Sequence, residues 1–431
     1  MDTIRPFLRG SDLRRRAVVG AALIGAIAYF AWRGVIRGLG DSGDLAVGYA
    51  AGRAWLDGLD PYDAGILVRE LTNAGGFDIA RSGLLEQLQN VYFPATLPPF
   101  ALLAPIPWAP AAIAYLLLNV AGVLVVIGGL IRILHWRPTD GRAIALSMFV
   151  LALAPVHTTL ASGQTAVLAT AGLVLAVALE QAGHPRWSGL CYGVATIVKV
   201  QIGLPFLAYL VWRRRWIQAS VTVAVLAVAT SLSVLRMHVA GVPWQASWLS
   251  NVTVLSGPGG INDPSTLNPE RYSLINLQAL LSSIAPGARW VEIASVALVG
   301  VAAITFVWVV RRRQDRELLA LSFVAVAGLL VTYHRYYDAV LLAFPIAWGI
   351  GGLAGSSRRA GVVVLLLCAD FVLPFQTAFH DLQLDGRVPG WFTASPIWDT
   401  VVMTQHVWAL VLMAITLLVA SANSDPDPGI P

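Results

Sequence analysis

Residues 109–131 read APAAIAYLLLNVAGVLVVIGGLI, an apolar stretch without a charged side chain. A membrane-spanning helix needs about 20 such residues, so this stretch predicts a transmembrane segment. The whole chain agrees, because 57% of its 431 residues are hydrophobic and only 12% are charged, against about 25% in an ordinary soluble protein. This composition excludes a soluble globular protein and predicts an all-α integral membrane bundle.

Similar apolar stretches recur along the chain and predict about 12 transmembrane helices. They lie at 17–36, 109–131, 143–158, 164–181, 188–199, 202–212, 217–236, 290–310, 317–332, 339–354, 360–377 and 404–421. The stretch 17–36 follows a basic segment and is too long for a cleaved signal peptide. The pair 188–199 and 202–212 is shorter than a usual span of about 17 to 25 residues, so we expect re-entrant segments or paired short helices there.

The predicted organisation is a basic cytoplasmic N-terminus at 1–16, a single membrane domain at 17–422 and a disordered tail at 423–431. Three long outer loops interrupt the membrane domain, at 38–98, 237–289 and 378–403. With the N-terminus inside, 18 of the 29 basic residues fall on the cytoplasmic side. This asymmetry follows the positive-inside rule and places both termini in the cytoplasm. The net charge of +5 therefore reports topology, which argues against nucleic-acid binding.

The first outer loop carries 8 of the 24 acidic residues, and long loops on a compact bundle are usually functional. Apolar residues at helical spacing predict a surface helix from about residue 44 to 56. Asp44 comes directly before this pattern. A carboxylate held against a membrane-facing pocket is partly desolvated, which raises its pKa and makes it a better proton acceptor. Asp44 is thus the candidate general base, although most loop aspartates are simply solvated.

Lys199 is the only lysine of the chain and lies in the apolar sequence VKVQ at 198–201. It either snorkels to the lipid headgroups or provides a fixed cation for a phosphate at the outer membrane face. Gly163-Gln164 lies at the outer turn of a helical hairpin. Gln164 either has only a structural role in this turn or contacts a sugar or phosphate.

The sequence YHRYYD occupies residues 333–338, at the outer junction between two apolar runs. Aromatic belts explain tyrosines at this depth, but they do not explain His334, Arg335 and Asp338 together. Two alternatives remain, a structural salt bridge between Arg335 and Asp338 or direct binding of an anionic group. His334 either donates a hydrogen bond to phosphate or faces water.

The first loop reads DL at 44–45, YAAGRAWLDG at 49–58 and DPY at 60–62. This pattern resembles the first-loop signature of glycosyltransferase family 87, membrane enzymes of the GT-C fold that use polyprenyl-phosphate sugars. Further pieces fit in order over roughly residues 17 to 350: YFP at 92–94, GQ at 163–164, KVQ at 199–201, RRRW at 213–216 and the junction 333–338. One departure is that the expected Lys-Pro-Gln reads Lys199-Val200-Gln201.

The resemblance implies roles for individual residues. Asp44 would deprotonate an acceptor hydroxyl, and the sugar would leave its lipid phosphate with inversion. Lys199, His334 and Arg335 would hold the donor phosphate. Further candidate substrate contacts are Arg53, Tyr62, Tyr92, Gln164, Gln201, Tyr337 and Asp338. No cofactor is implied, and a divalent metal, which other GT-C enzymes use, is not indicated because Lys and Arg can neutralise the leaving phosphate.

By the same resemblance, the donor is a polyprenyl-phosphate sugar, either mannose or arabinofuranose, and the acceptor is a glycolipid or glycan. Transfer would take place on the outer face of a bacterial cytoplasmic membrane, among membrane lipids. The alternative is a non-catalytic transporter or flippase of lipid-linked sugars. Transporters tend to show internal repeats, whereas this chain places its long polar loops asymmetrically, which favours the enzyme. A scaffold with a vestigial site would give no use for a lone buried lysine beside an Arg/His cluster.

Overall fold

The structure is a computed structural model that describes residues 5–40, 42–76, 78, 89–288, 290–310, 317–331, 333–373 and 375–422, with side chains from residue 17 onward. Several predictions fall outside these residues: the disordered tail 423–431, the basic side chains before residue 17, the cytoplasmic connection 311–316, and Asp41 and Glu86 of the acidic loop. The protein is 77% helical and forms no strand among the described residues, which confirms the all-α fold class.

The N-terminal half of the chain contains eleven numbered helices within the described residues. They are α1 Arg5–Phe30 (continued by a π-helix, Ala31–Ile36), α2 Gly43–Leu56, α3 Ala64–Asn73, α4 Leu97–Ala101, α5 Trp108–Ile133, α6 Gly141–Ala152, α7 Ala154–Ser162, α8 Ala166–Gln181, α9 Pro185–Val198, α10 Val200–Trp212 and α11 Trp216–Val239.

The C-terminal part of the chain contains nine more numbered helices within the described residues. They are α12 Trp244–Ser256, α13 Leu277–Ile284, α14 Val291–Val310, α15 Glu317–Val331, α16 Ala343–Gly352, α17 Arg358–Ala369, α18 Phe375–Leu384, α19 Gly390–Thr393 and α20 Gln405–Ala422. Single 3₁₀ turns at Pro94–Thr96, Arg271–Ser273 and Tyr336–Leu342 and a π-helical turn at Trp398–Val402 join them.

Among the residues that the structure describes, five helices are long and apolar enough to cross a membrane, and a bent pair makes a sixth if it counts as one span. The five are Ala17–Ile36, Trp108–Ile133, Trp216–Val239, Val291–Val310 and Gln405–Ala422. Their outward faces carry large exposed apolar side chains such as Leu117 and Ile304, as expected for helices that face lipid rather than water. The protein is therefore an integral membrane protein, while the count of about 12 spans stays a prediction.

The bent pair consists of α6 and α7, which meet at 48°. Pro155 lies in the first turn of α7 and has no amide hydrogen, so it cannot donate to the carbonyl of Leu151 as a helical residue would. The side chain of His157 contacts this carbonyl instead, with its Nε2 atom 2.7 Å from the Leu151 oxygen. The bend between α6 and α7 therefore arises from Pro155 and from the contact of His157 with the Leu151 carbonyl. It directs α7 towards the 333–338 junction.

The predicted pair 188–199 and 202–212 corresponds to α9 and α10, which have 14 and 13 residues. At 1.5 Å per residue, each helix is only about 20 Å long, too short to cross a bilayer alone. The structure therefore shows paired short helices, and Lys199 is the extended residue between them (φ −152°, ψ 93°).

The predicted first outer loop packs into a second hydrophobic cluster, which it shares with Trp108 and Tyr115 of α5 and Met237 of α11. The predicted helix at 44–56 is confirmed as α2, but it is buried on nearly every side instead of lying on the surface. Gly48 and Gly52 make this burial feasible, since a Cβ on Gly52 would lie 2.7 Å from the backbone carbon of Phe100 in α4. The α2 C-terminus is fixed by Arg236 of α11, which donates from Nε to the carbonyl oxygen of Trp55 at 3.0 Å.

Candidate active site

Asp44 lies in the first turn of α2, half-buried, and its position depends on a glycine turn from another helix. Gly163 ends α7 in the left-handed region (φ 73°), and a Cβ on this residue would lie 2.6 Å from the Cβ of Leu45. Only glycine therefore lets the 163–164 turn approach the start of α2 this closely. The approach places Gln164 and Ser162 within hydrogen-bonding reach of the Asp44 carboxylate.

Lys199 is almost fully buried, with 3% of its side chain exposed, so it does not snorkel to the headgroups. Its Nζ atom lies 2.6 Å from Oδ1 of Asp338 and donates to Oε1 of Gln164 at 3.0 Å. The ammonium also lies over the ring of Tyr337, 4.3 Å from its centroid. These contacts compensate a cation that the apolar surroundings would otherwise penalise.

Asp338 is fully buried and pairs with Lys199 and His334, not with Arg335. The Nδ1 atom of His334 lies 2.9 Å from Oδ2 of Asp338, in the first turn of the 3₁₀ segment. Burial would raise the pKa of Asp338, but the charge of Lys199 and the hydrogen bond with His334 outweigh this effect and hold that pKa below its usual value. The carboxylate therefore stays ionised and anchors both partners.

Arg335 is positioned by the second outer loop. Its Nε and Nη2 atoms donate to the Ser273 hydroxyl oxygen at 3.1 and 2.8 Å. A single antiparallel bridge joins the backbones of Leu274 and Arg335, and the amide of Ile275 donates to the His334 carbonyl at 3.0 Å. The guanidinium is thus held in place without a carboxylate partner among the described residues.

These elements enclose a cavity of about 620 Å³, hereafter the first cavity. Seven of the candidate residues line it: Asp44, Tyr92, Gln164, Lys199, Gln201, Arg335 and Tyr337. The rest of its lining is largely apolar. It comes from α2, residues 89–96, the end of α9, α10, α12 with the loop after it, and the end of α15, and includes Leu204, Pro205, Leu255 and Val331. An acid, two cations and amides at one end of an apolar pocket suit a ligand with a phosphate group and a lipid chain.

Four candidate residues lie outside this lining. His334 and Asp338 lie behind the wall that Lys199 forms. Arg53 instead donates to the carbonyl of Ala104 at 2.7 Å, and Tyr62 donates to the carbonyl of Tyr92 at 3.1 Å. The structure thus gives Arg53 and Tyr62 contacts that hold the first outer loop together and orient Tyr92.

Other residues of the first cavity were not selected from the sequence. Tyr333 belongs to the junction that was singled out, but nothing in its pattern separated it from an aromatic belt. Asn262 lies in the irregular loop after α12, where a single asparagine carries no distinct signal. Among the described residues, no group of three or more His, Cys, Asp or Glu side chains has the arrangement of a metal site. Independence of a metal stays a prediction.

Electrostatics favour Asp44 as a proton acceptor. Burial raises the pKa of Asp44 above its ordinary value, while hydrogen bonds from Gln164 and the charges of Arg335 and Lys199 act in the opposite direction. Burial also raises the pKa of Tyr92, with the Asp44 charge adding to the effect. A carboxylate with a raised pKa is a stronger base than an exposed aspartate, and Tyr92 remains a neutral hydrogen-bond donor beside it.

The fold is that of an integral membrane protein with a cavity that combines an acid and two cations with an apolar lining, and comparison with known proteins identifies the class. The chain belongs to glycosyltransferase family 87, whose model matches residues 90–333. It is similar to a polyprenol-phosphate-mannose-dependent α-(1-2)-phosphatidylinositol mannoside mannosyltransferase of Mycobacterium tuberculosis (strain ATCC 25618 / H37Rv). The two are 27% identical over 428 residues, which cover 93% of this chain and 90% of the relative. No solved structure matches the chain.

Family membership confirms the predicted resemblance to the family and shows that the protein is a membrane glycosyltransferase, while the first-loop signature at 44–62 lies before the matched residues. The alternative interpretation as a transporter or flippase has no support from these comparisons.

Proposed function

We propose that the protein transfers mannose from a polyprenyl-phosphate donor to a glycolipid or glycan acceptor, with Asp44 as general base. The observation that carries this proposal is the first cavity, where Asp44 shares one pocket with Lys199 and Arg335. The mycobacterial relative depends on polyprenol-phosphate-mannose, which supports mannose as the sugar. The basic residues of the cytoplasmic connections support transfer on the outer face of the membrane.

The cavity suggests how the donor binds. Its apolar side, around Leu204 and Pro205, fits the first isoprene units of the lipid. The phosphate then lies near Arg335, whose guanidinium donates in a planar fork that matches phosphate oxygens. A lysine ammonium has three donors, and Asp338 and Gln164 engage two of those of Lys199. The third donor remains for the phosphate. His334 acts through Asp338 as a positioning residue.

In the proposed reaction, the acceptor hydroxyl attacks the anomeric carbon and the bond from this carbon to the phosphate oxygen breaks. Asp44 takes the hydroxyl proton, and the electron pair of the broken bond leaves with the polyprenyl phosphate. Arg335 and Lys199 stabilise the charge that develops on the phosphate, so no covalent sugar–enzyme intermediate is needed. A single displacement inverts the anomeric configuration.

The test is transfer of labelled mannose from a polyprenyl-phosphate donor by purified Asp44→Asn protein. We expect kcat to fall at least about 100-fold, since a general base contributes roughly 10²- to 10⁴-fold. The matched control is Asp57→Asn, because Asp57 is exposed at the other end of the same helix. It should keep activity within about twofold of the unchanged protein, as surface substitutions do little. Normal turnover by Asp44→Asn would refute the assignment.

A further inference from the structure

Two amide side chains that line the first cavity have no role in the proposed reaction so far. They belong to Gln89 and Asn262. The Oε1 atom of Gln89 and the Oδ1 atom of Asn262 are buried without a hydrogen-bond partner among the described residues. Buried polar atoms are nearly always paired in folded proteins, so an unpaired one requires a reason. A ligand in the cavity that supplies the missing donors would be such a reason.

The segment around Gln89 does not need this side chain for its own structure. Asn90, the next residue, donates to the carbonyl oxygen of Pro61 at 2.8 Å and accepts from the backbone amide of Tyr92 at 2.9 Å. Its carbonyl oxygen accepts from Nδ2 of Asn251 in α12 at 3.0 Å. These contacts hold residues 89–92 in place and leave the Gln89 amide unused.

The loop after α12 is likewise fixed without the side chain of Asn262. The carboxylate of Asp263 accepts from the backbone amides of Gly259 and Ser265, both at 2.8 Å. Asn268 donates from Nδ2 to the carbonyl oxygen of Asp263 at 2.8 Å. A loop whose neighbouring polar side chains are bonded internally presents the Asn262 amide in a defined position.

Helix α12 brings the two free amides to the same side of the first cavity. The contact of Asn251 with Asn90 holds the segment that carries Gln89. One helical turn further on, the carbonyl oxygen of Leu255 accepts from the backbone amide of Asn262 at 2.8 Å. Residues four apart on a helix are neighbours on one face. The two amides therefore lie along the α12 side of the cavity.

The chemistry of this pair suits hydroxyl groups. An amide offers donors on its nitrogen and an acceptor on its oxygen, and a hydroxyl can use both. The amides are neutral, whereas Lys199 and Arg335 provide the cations for a phosphate. The ring hydroxyls of a sugar-phosphate are on carbons other than the anomeric one, so groups that recognise them lie apart from the phosphate. Gln89 and Asn262 come from different elements than the cations do.

We propose that Gln89 and Asn262 recognise the transferred sugar and determine which donors the protein accepts. Each amide oxygen accepts a hydrogen bond from a ring hydroxyl, while Arg335 and Lys199 hold the phosphate. The assignment to the transferred sugar rests on the proposed function. Contact with the sugar of the donor can nevertheless be tested by binding alone.

The binding test compares polyprenyl-phosphate-mannose with polyprenyl phosphate on purified protein in detergent. Asn262→Leu and Gln89→Met remove the amides and keep side chains of similar size. Each should weaken binding of the mannose donor about 10-fold, as expected for one hydrogen bond, and leave binding of polyprenyl phosphate unchanged. The control is Asn73→Leu, because Asn73 is exposed at the end of α3 and does not line the cavity. Equal losses for the two lipids, or unchanged binding of the mannose donor, would overturn the proposal.

Donors with one ring hydroxyl replaced by hydrogen identify the contact without relying on a variant. The unchanged protein should bind at least one deoxymannose donor about 10-fold more weakly than the mannose donor. Each variant should bind one such deoxy donor as well as it binds the mannose donor, because the hydroxyl has lost its partner. Equal binding of all donors by the unchanged protein would overturn the proposal, and so would full discrimination by both variants.

The stability of the empty protein separates recognition from a structural role. Replacing an unpaired buried amide oxygen by an apolar group removes a polar atom that gains nothing from its burial. Asn262→Leu and Gln89→Met should therefore have a Tm no lower than that of the unchanged protein. With the mannose donor bound, the unchanged protein should gain more in Tm than either variant. A clear drop in the Tm of the empty variants would mean that the amides support the fold, against the proposal.

A kinetic measurement keeps this proposal apart from the proposed function. Both variants should raise KM for the donor about 10-fold and leave KM for the acceptor unchanged. A rise in KM for the acceptor alone would assign the amides to the acceptor and overturn the proposal. Failure of the unchanged protein to transfer any sugar would instead refute the proposed function, while the binding comparison would still decide whether Gln89 and Asn262 contact the sugar.

Discussion

Replacing Asp338 by asparagine tests whether the buried ion pair with Lys199 holds the site together. Both side chains are nearly inaccessible, 3% and 0% exposed, and their charged atoms are 2.6 Å apart. At an effective dielectric constant of about 20, two unit charges at this distance attract by roughly 6 kcal/mol. Removing one partner of such a pair leaves a buried charge without compensation and typically costs about 3–5 kcal/mol. We expect Asp338→Asn to lower the free energy of unfolding by this amount.

The assay is equilibrium unfolding in mixed micelles with an increasing fraction of SDS. Lys199→Met combined with Asp338→Asn removes both charges, so the double variant should lose about 2–3 kcal/mol less than the sum of the single variants. The control is Arg387→Gln, because Arg387 and Asp385 form an exposed pair at 3.5 Å. Exposed pairs contribute about 1 kcal/mol or less. The reasoning is refuted if Asp338→Asn costs no more than this control or if the two substitutions are additive.

Two further predictions concern the first outer loop. Since burial raises the pKa of Asp44, the fall of kcat/KM at acidic pH should have an apparent pKa above the ordinary aspartate value of 3.8. An apparent pKa at that value would contradict the assignment. A raised folded-state pKa means that folding is favoured when Asp44 is protonated, so Asp44→Asn should stabilise the protein at neutral pH and lose this advantage at low pH, as measured by unfolding at both. Gly52→Ala places a Cβ 2.7 Å from the Phe100 backbone and should cost about 1–3 kcal/mol in unfolding free energy. Gly128→Ala, where the Cβ meets open space in α5, should be neutral or stabilising, and equal effects of the two would exclude the close approach as the cause.

The helices could largely be predicted from the sequence, because the length of an apolar stretch depends only on consecutive residues. The stretch 109–131 corresponds to Trp108–Ile133, and the acidic loop helix expected at 44–56 begins at Gly43. Burial of α2 could not be read in the same way. It depends on how closely Gly52 meets Phe100 of another helix, which is a contact between distant parts of the chain.

The candidate site was only partly predictable for the same reason. The small number of charged residues pointed to Asp44 and Lys199, because a charge in apolar surroundings is costly unless a structural or functional role compensates for it. The small number of charges does not reveal their partners, so Asp338 was considered with Arg335, three residues earlier, instead of with Lys199, which lies between α9 and α10.

Asp44 lines the first cavity and also a second cavity of about 320 Å³ between α7 and the start of α18, which has a consequence for side reactions. With Asp44 as the base, water that enters the second cavity in place of an acceptor is a competing nucleophile, and its attack would release the sugar by hydrolysis. The arginine, serine and threonine side chains in the lining of that cavity attract water, so the lining alone does not prevent this loss. Hydrolysis of the donor is therefore lowest when the acceptor binds first and the polyprenyl-phosphate sugar binds second.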